Sequence, residues 1–195
     1  MINLLKSALL ASLVISASAN AAVITLESRD IDASFNSSDL QAAFDLLPSS
    51  SVNTISSTDN FNTDRDSVNL LTVEFDMSYE GSWTLEAGLD AGYGAELFFD
   101  GILVSERTDN LWWKYNWNNS DVFTIDLNNI AIGSHTIELF WAENCCSGNN
   151  SIRLTEVSSG EVQTLSAASV DAASIPEPAG ILLLGMGLLA LGRRK

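Results

Sequence analysis

In the stretch TVEFDMSYE, Val73, Phe75, Met77 and Tyr79 alternate with Thr72, Glu74, Asp76 and Ser78. A period of two is what a strand with one buried face requires, and a helix cannot sustain it. The pattern returns along the chain: Trp83 and Leu85 after Gly81, then Phe123, Ile125 and Leu127, then Ile137, Leu139 and Trp141, then Ile152 and Leu154. ELFFDGILVSE reads as a hairpin closed by Asp100-Gly101, a favoured two-residue turn between apolar runs. A further hairpin across residues 158–160 leads into EVQTL. Seven or more short strands with turn-punctuated spacing predict an all-β fold, an antiparallel β-sandwich of the jelly-roll kind. One short helix interrupts it. Ser38 and Gln41 form a capping box, Leu40, Ala43, Phe44 and Leu47 share a helical face, and Pro48 stops the run. Residues 49–66, rich in Ser, Thr, Asn and Asp, read as a loop, and residues 167–174, small and polar, as a linker.

The two ends stand apart from this pattern. Lys6, an apolar run over residues 8–15 and the small residues Ala17, Ala19 and Ala21 make a secretory signal peptide, with cleavage after Ala21 or Ala19. At the other end, IPEPAGILLLGMGLLALGRRK closes the chain. Its apolar run, residues 179–192, would be about 21 Å long as a helix, short of the roughly 30 Å of a bilayer core. Four glycines make it a poor helix in water, and the cations that follow favour the cytoplasmic side. This segment closely resembles the PEP-CTERM sorting signal of Gram-negative bacteria, with Pro176, Glu177 and Pro178 as the signature and Arg193, Arg194 and Lys195 as the basic end. The resemblance implies export through the secretion machinery and processing by exosortase, a membrane transpeptidase or protease. It also implies transient membrane contact through the tail and residence at the cell envelope or extracellular surface. The expected division is therefore a signal helix over 1–21, a sandwich domain over 22–166, a linker over 167–174 and a short hydrophobic sorting helix over 175–195.

Of the 9 Lys+Arg and 25 Asp+Glu, four cations (Lys6, Arg193, Arg194, Lys195) and one anion (Glu177) lie in the tags, leaving 5 against 24 in the domain. Such a surface repels nucleic acid and anionic membrane. It is compatible with calcium, with neutral glycans, or simply with solubility outside the cell. Catalytic parts are scarce. His135 is the only histidine and sits in a strand pattern after Gly133, where a structural role is expected, and no Asp/Glu pair stands out. No zinc site can be built from two cysteines and one histidine without carboxylates. No cofactor is expected, with calcium as the one exception: Asn60, Asn62, Asp64 and Asp66 alternate as hard-cation ligands do. Arg65 and Leu71, however, stand where an EF-hand loop needs Gly and Glu.

ENCCSGNN holds both cysteines, Cys145 and Cys146, side by side. In an oxidising compartment three states are open: a ring between neighbours, free thiols, or cross-links to other chains. A trans peptide holds neighbouring Cα atoms about 3.8 Å apart, below the usual 4.4 Å or so for a disulfide. A vicinal ring therefore needs a loop that accepts strain, and Gly148 with its Asn-rich surroundings provides one. Cys145-Cys146-Ser147-Gly148 in a chain with this tail resembles the CCXG group of PEP-CTERM proteins, a resemblance that implies no molecular function.

LWWKYNWNNS packs Trp112, Trp113, Tyr115 and Trp117 among Asn116, Asn118 and Asn119. If extended, Trp113, Tyr115 and Trp117 share a face and Trp112 points away. Such a face is either core or a stacking platform with amide partners, the chemistry a neutral sugar requires. Trp112 and Trp117 are the expected stacking rings, and the aromatic and cysteine loops are expected to emerge at one end of the sandwich. The stretch from Trp83 to Leu139 resembles the protective-antigen-type β-sandwich of bacterial toxins, glycosidases and adhesins, on ELFFDGILV followed by VFTIDL and IGSHTIEL. Sugar-binding members hold calcium with two adjacent acids ahead of the hairpin; here the place reads Asp90-Ala91, which carries over Asp90 alone. The expectation is a non-enzymatic surface protein that binds or organises extracellular polysaccharide. The alternatives are a matrix protein stiffened or cross-linked through its cysteines, and a carboxylate-dependent hydrolase.

Overall fold

The computed structural model describes residues 21–49, 52–146 and 148–174. The expected signal and sorting segments, with Pro176, Glu177, Pro178, Arg193, Arg194 and Lys195, lie outside the described residues apart from Ala21. In chain order the elements are β1 (Val23–Asp30), α1 (Leu40–Leu46), β2 (Asn53–Thr54), β3 (Phe61–Asn62), β4 (Ser67–Met77), β5 (Gly81–Gly88), β6 (Asp90–Ala91), β7 (Ala95–Phe99), β8 (Ile102–Arg107), β9 (Leu111–Trp112), β10 (Phe123–Ile130), β11 (Gly133–Glu143), β12 (Asn149–Glu156), β13 (Val162–Thr164) and α2 (Ala167–Ser174).

Two antiparallel sheets face each other, as the alternation predicts. One runs β2-β1-β4-β11-β7-β8; the other runs β10-β5-β12-β13, with β3 on the end of β12. β4 and β11 pair along their whole length, which sets Val73 opposite Ile137 and Leu71 opposite Leu139. Across the core, Leu85 on β5 lies between Ile125 and Leu154. These residues, with Phe75, Met77, Trp83 and Trp141, form the buried layer between the sheets. Asp100 (φ 50°) and Gly101 (φ 74°) are both left-handed, the geometry of the expected two-residue turn, with Phe99 and Ile102 paired beside it. His135 is held within the fold: its Nδ1 and Nε2 lie 2.8 Å from Asp100 Oδ2 and from the Ala131 carbonyl oxygen, and its ring stacks on Phe99.

α1 covers the outer face of the larger sheet, where Leu40, Phe44 and Leu47 meet Val68, Phe98 and Phe140. Its cap differs from expectation. Asp39, at φ −155°, is the N-cap and accepts from the Ala42 N–H at 2.8 Å, whereas Ser38 Oγ bonds Asn36 Oδ1. The other end is held by Arg29, whose Nη1 donates to the Phe44 carbonyl at 2.6 Å and whose guanidinium lies 3.8 Å over the Phe44 ring.

Residues 167–174 are a helix rather than the expected linker. Ser166 Oγ accepts from the Ser169 N–H at 3.1 Å while Ser169 Oγ accepts from the Ser166 N–H at 2.9 Å, a reciprocal cap. Val170 is fully buried in the main core, and Ser78 donates through both its N–H and its Oγ to the Ser174 carbonyl. Small residues form this helix because the domain supplies its cap and its seat.

Candidate functional site

β9 pairs with β6 so that Trp112 lies opposite Asp90. The chain then leaves the sheet. Lys114 (φ 54°) and Tyr115 (φ 56°) are consecutive left-handed residues, so the expected extended strand is replaced by a series of turns. Trp113, Tyr115 and Trp117 cluster all the same, because the turn folds back: the Trp113 centroid is 5.4 Å from Tyr115 and 4.7 Å from Trp117. Trp113 is 4% exposed, with its ring seated on Gly88 and its Nε1 donating to the Asn149 carbonyl at 2.9 Å. It is buried, so it is not an open stacking platform. Tyr115 is 61% exposed and Trp112 54%, while Trp117 is half-buried.

The asparagines hold the loop. Asn116 Oδ1 accepts from the Asn118 N–H, Asn119 Oδ1 accepts from the Asp121 N–H, and Asn119 Nδ2 donates to the Trp112 carbonyl. Asn116 and Asn119 therefore spend side-chain oxygens on Asx-type turns. Asn118 is exposed.

Beside this cluster lies a hollow of about 360 Å³, whose lining includes Tyr115, Trp117, Asp59, Asn60, Arg153 and Gln163, with Trp113. Arg153 was not apparent from the sequence as a site residue. It forms a two-point ion pair with Glu86, at 2.6 and 2.8 Å, and sets its guanidinium 4.3 Å from the Trp117 centroid. One face of Trp117 is thereby occupied and the ring is fixed. The available signal was its outward position between Ile152 and Leu154 on a strand of a domain with few cations.

Cys145 and Cys146 form the disulfide between neighbours, with Cα atoms 3.8 Å apart and Cys146 at φ 68°. The Cys145 N–H donates to Glu143 Oε1 at 2.8 Å. Glu143 is 2% exposed. Burial pushes its carboxyl up to about 7, against the Cys145 N–H that favours the charged form, and the nearby Asp90 carboxylate adds to the rise. Asp90 is itself raised by burial, opposed by the Gly148 N–H and Glu143. Ala91, beside it, is fully buried. The aromatic and cysteine loops thus meet along a seam of Asp90, Trp112, Trp113 and Asn149. The Asn60–Asp66 alternation is divided between β3 and a bend: Asn60 Oδ1 accepts from Asn149 Nδ2 and the Asp66 carbonyl from the Ile31 N–H. Among the described residues no group of three or more His, Cys, Asp or Glu side chains is placed to hold a metal ion.

Residues 174–195 match the family model described as the PEP-CTERM protein-sorting motif. The chain carries a PEP-CTERM sorting signal. Its domain is similar to solved structures of the PA14 fold. The PA14 sugar-binding domain of an RTX adhesin aligns over 76% of this chain and 97% of its own, with TM-score 0.51 and 10% identity. The PA14 domain of the antifreeze protein MpAFP aligns over 77% and 90%, with TM-score 0.51 and 14% identity. The A domain of Epithelial Adhesin 9 from Candida glabrata, solved with Galβ1-3GlcNAc, aligns over 73% and 86%, with TM-score 0.50 and 10% identity. At these identities the likeness is one of fold. No curated protein matches the sequence. The chain thus has an antiparallel sandwich like that of PA14 domains, with two short helices, ahead of the matched sorting motif.

Proposed function

We propose that this PEP-CTERM protein is exported, processed by exosortase at the envelope of a Gram-negative bacterium, and binds neutral extracellular polysaccharide there without catalysis. The observation that carries the binding reading is the Tyr115–Trp117–Arg153 hollow. An exposed phenol ring and a fixed indole stand beside polar groups of Asp59, Asn60 and Gln163. A sugar offers apolar ring faces and fixed hydroxyls, and this wall offers partners for both. The strongly anionic domain favours an uncharged chain. The sugar-binding adhesin domains among the structural neighbours support the same reading. The cross-linked matrix alternative is weakened, since Cys145 and Cys146 are joined to each other.

Calorimetry against neutral exopolysaccharide fragments tests this. Tyr115→Ala and Trp117→Ala should each weaken binding by about 1 kcal/mol with the fold intact. Trp112→Ala, on the Asp90 side of the seam, should leave it unchanged. Affinity that falls only in the Trp112 variant would move the site to the cysteine loop. Equal affinity in all three variants would reject the aromatic site.

A further inference from the structure

The Ala22 N–H donates to Asp171 Oδ1 on α2 at 2.7 Å, joining the first core residue to the last helix. Ala22 is 5% exposed and packs in the main core, whereas Ala21 is exposed. The bond therefore sits at one of the two peptide positions where a signal peptidase is expected to cut. We propose that the mature amino terminus is Ala22 and that its ammonium forms an ion pair with Asp171, latching α2 to β1. This rests on the export part of the function above and is independent of carbohydrate binding.

The chemistry is peptide hydrolysis by the host's signal peptidase. The bond between the Ala21 carbonyl carbon and the Ala22 nitrogen breaks, and water supplies the hydroxyl to Ala21 and a hydrogen to Ala22. The released amine takes a further proton from solvent. The neutral donor to Asp171 becomes a charged one, and charge-assisted hydrogen bonds are the stronger class. The surroundings favour that cation. Glu74 on β4 lies opposite Val23, and Glu74, Asp76 and His135 line the hollow that Ala21 borders. Asp76 receives the Ser134 hydroxyl and His135 is engaged by Asp100, while Asp171 Oδ1 accepts directly from the Ala22 nitrogen.

The latch matters because of where α2 ends. The Ser174 carbonyl accepts from the Ser78 N–H at 3.0 Å and Ser78 Oγ at 2.7 Å, and the Tyr79 hydroxyl donates to Ala173 O at 2.9 Å. Ser174 is also the first residue of the sorting motif. Removal of the signal peptide at one end thus tightens the helix from which the sorting tail departs at the other.

The test is to export the full-length chain from a Gram-negative host and to read the amino terminus and its titration. Sequencing should begin Ala-Val-Ile. The α-amine should titrate above about 8.5, against the ordinary value near 8, by pH-dependent reductive methylation. Asp171→Asn should return it to the ordinary value. If that variant does not fold, Asp171→Glu retains the charge and should keep the amine raised. A chain that begins at Asn20, or an Ala22 amine with an ordinary titration, overturns the latch while leaving export standing. A chain that retains Met1 overturns export itself.

Discussion

Glu96, on a strand, caps a helix through Leu40: its Oε1 accepts the Leu40 N–H at 2.8 Å and its Oε2 the Gln41 N–H at 3.1 Å. Both are first-turn donors that no helical carbonyl can reach, and Glu96 is buried beneath them. Glu96→Gln replaces one acceptor with a donor and should lower stability by about 1–2 kcal/mol in urea titrations. Glu96→Ala strands both N–H groups and should cost more. An unchanged midpoint for the alanine variant would mean that solvent satisfies the helix end.

Gly88 is the floor under Trp113. A Cβ there would overlap the indole at three ring atoms, Cγ, Cδ2 and Cε3. Gly88→Ala should therefore displace Trp113, break its bond to Asn149, and destabilise the fold by about 1–3 kcal/mol. The same variant should lose the polysaccharide affinity assigned to the neighbouring hollow. Denaturant midpoint and tryptophan emission together report it, and an unshifted emission maximum would contradict the seating.

Glu143 should make the domain less stable as pH rises. Its ordinary value is 4.5 and its folded value about 7, so between these the folded state holds a proton that the unfolded chain has released. The contribution is complete below about 4.5, declines as pH climbs toward 7, and is spent above it. Glu143→Gln stays uncharged and should flatten the fall in melting temperature between about pH 4.5 and pH 7. Asp90 beside it is also raised, chiefly by burial, and stays in place in the variant. Identical slopes in wild type and variant would show that the Glu143 proton does not bear on stability.

The exported protein should be about 2 Da lighter than its reduced form and resist alkylation until reductant is added. Reduction should loosen the hold of Cys145 N–H on Glu143 and raise hydrogen exchange in the cysteine loop, leaving β11 protected. Full alkylation without reductant would contradict the ring between neighbours.

The sandwich was legible because its strands write their burial at a period of two: Val73, Phe75 and Met77 need no partner to be recognised as one face. The Asp100-Gly101 turn was legible for a similarly local reason. α1 was visible from Leu40, Ala43, Phe44 and Leu47, but its true cap was not, since Ser38 and Asp39 are both good caps and the choice follows from where Glu96 sits. α2 was hidden because Ala, Ser and Asp at its positions carry no apolar stripe, and its seat on Ser78 and the core lies far along the chain. Among site residues, the aromatic run announced itself, yet which ring is buried depended on Gly88, twenty-five positions earlier. Arg153 gains its role from Glu86 and Trp117, far along the chain, and the raised carboxyl of Glu143 from its burial and from Asp90, which no local pattern marks.

That residues 167–174 are helix and not linker sets how far the domain can stand from a membrane. Ser174 is fastened to Ser78, so any tether to the apolar run at 179–192 starts there. The five steps to residue 179 reach at most about 17 Å, whereas an extended 167–174 would have added roughly 27 Å. While the tail is held in a bilayer, the anionic sandwich rides close to the surface, within about two Debye lengths of the headgroups at physiological salt. Were that leaflet anionic, repulsion would load the Ser78–Ser174 contact, and cutting the tail would relieve it.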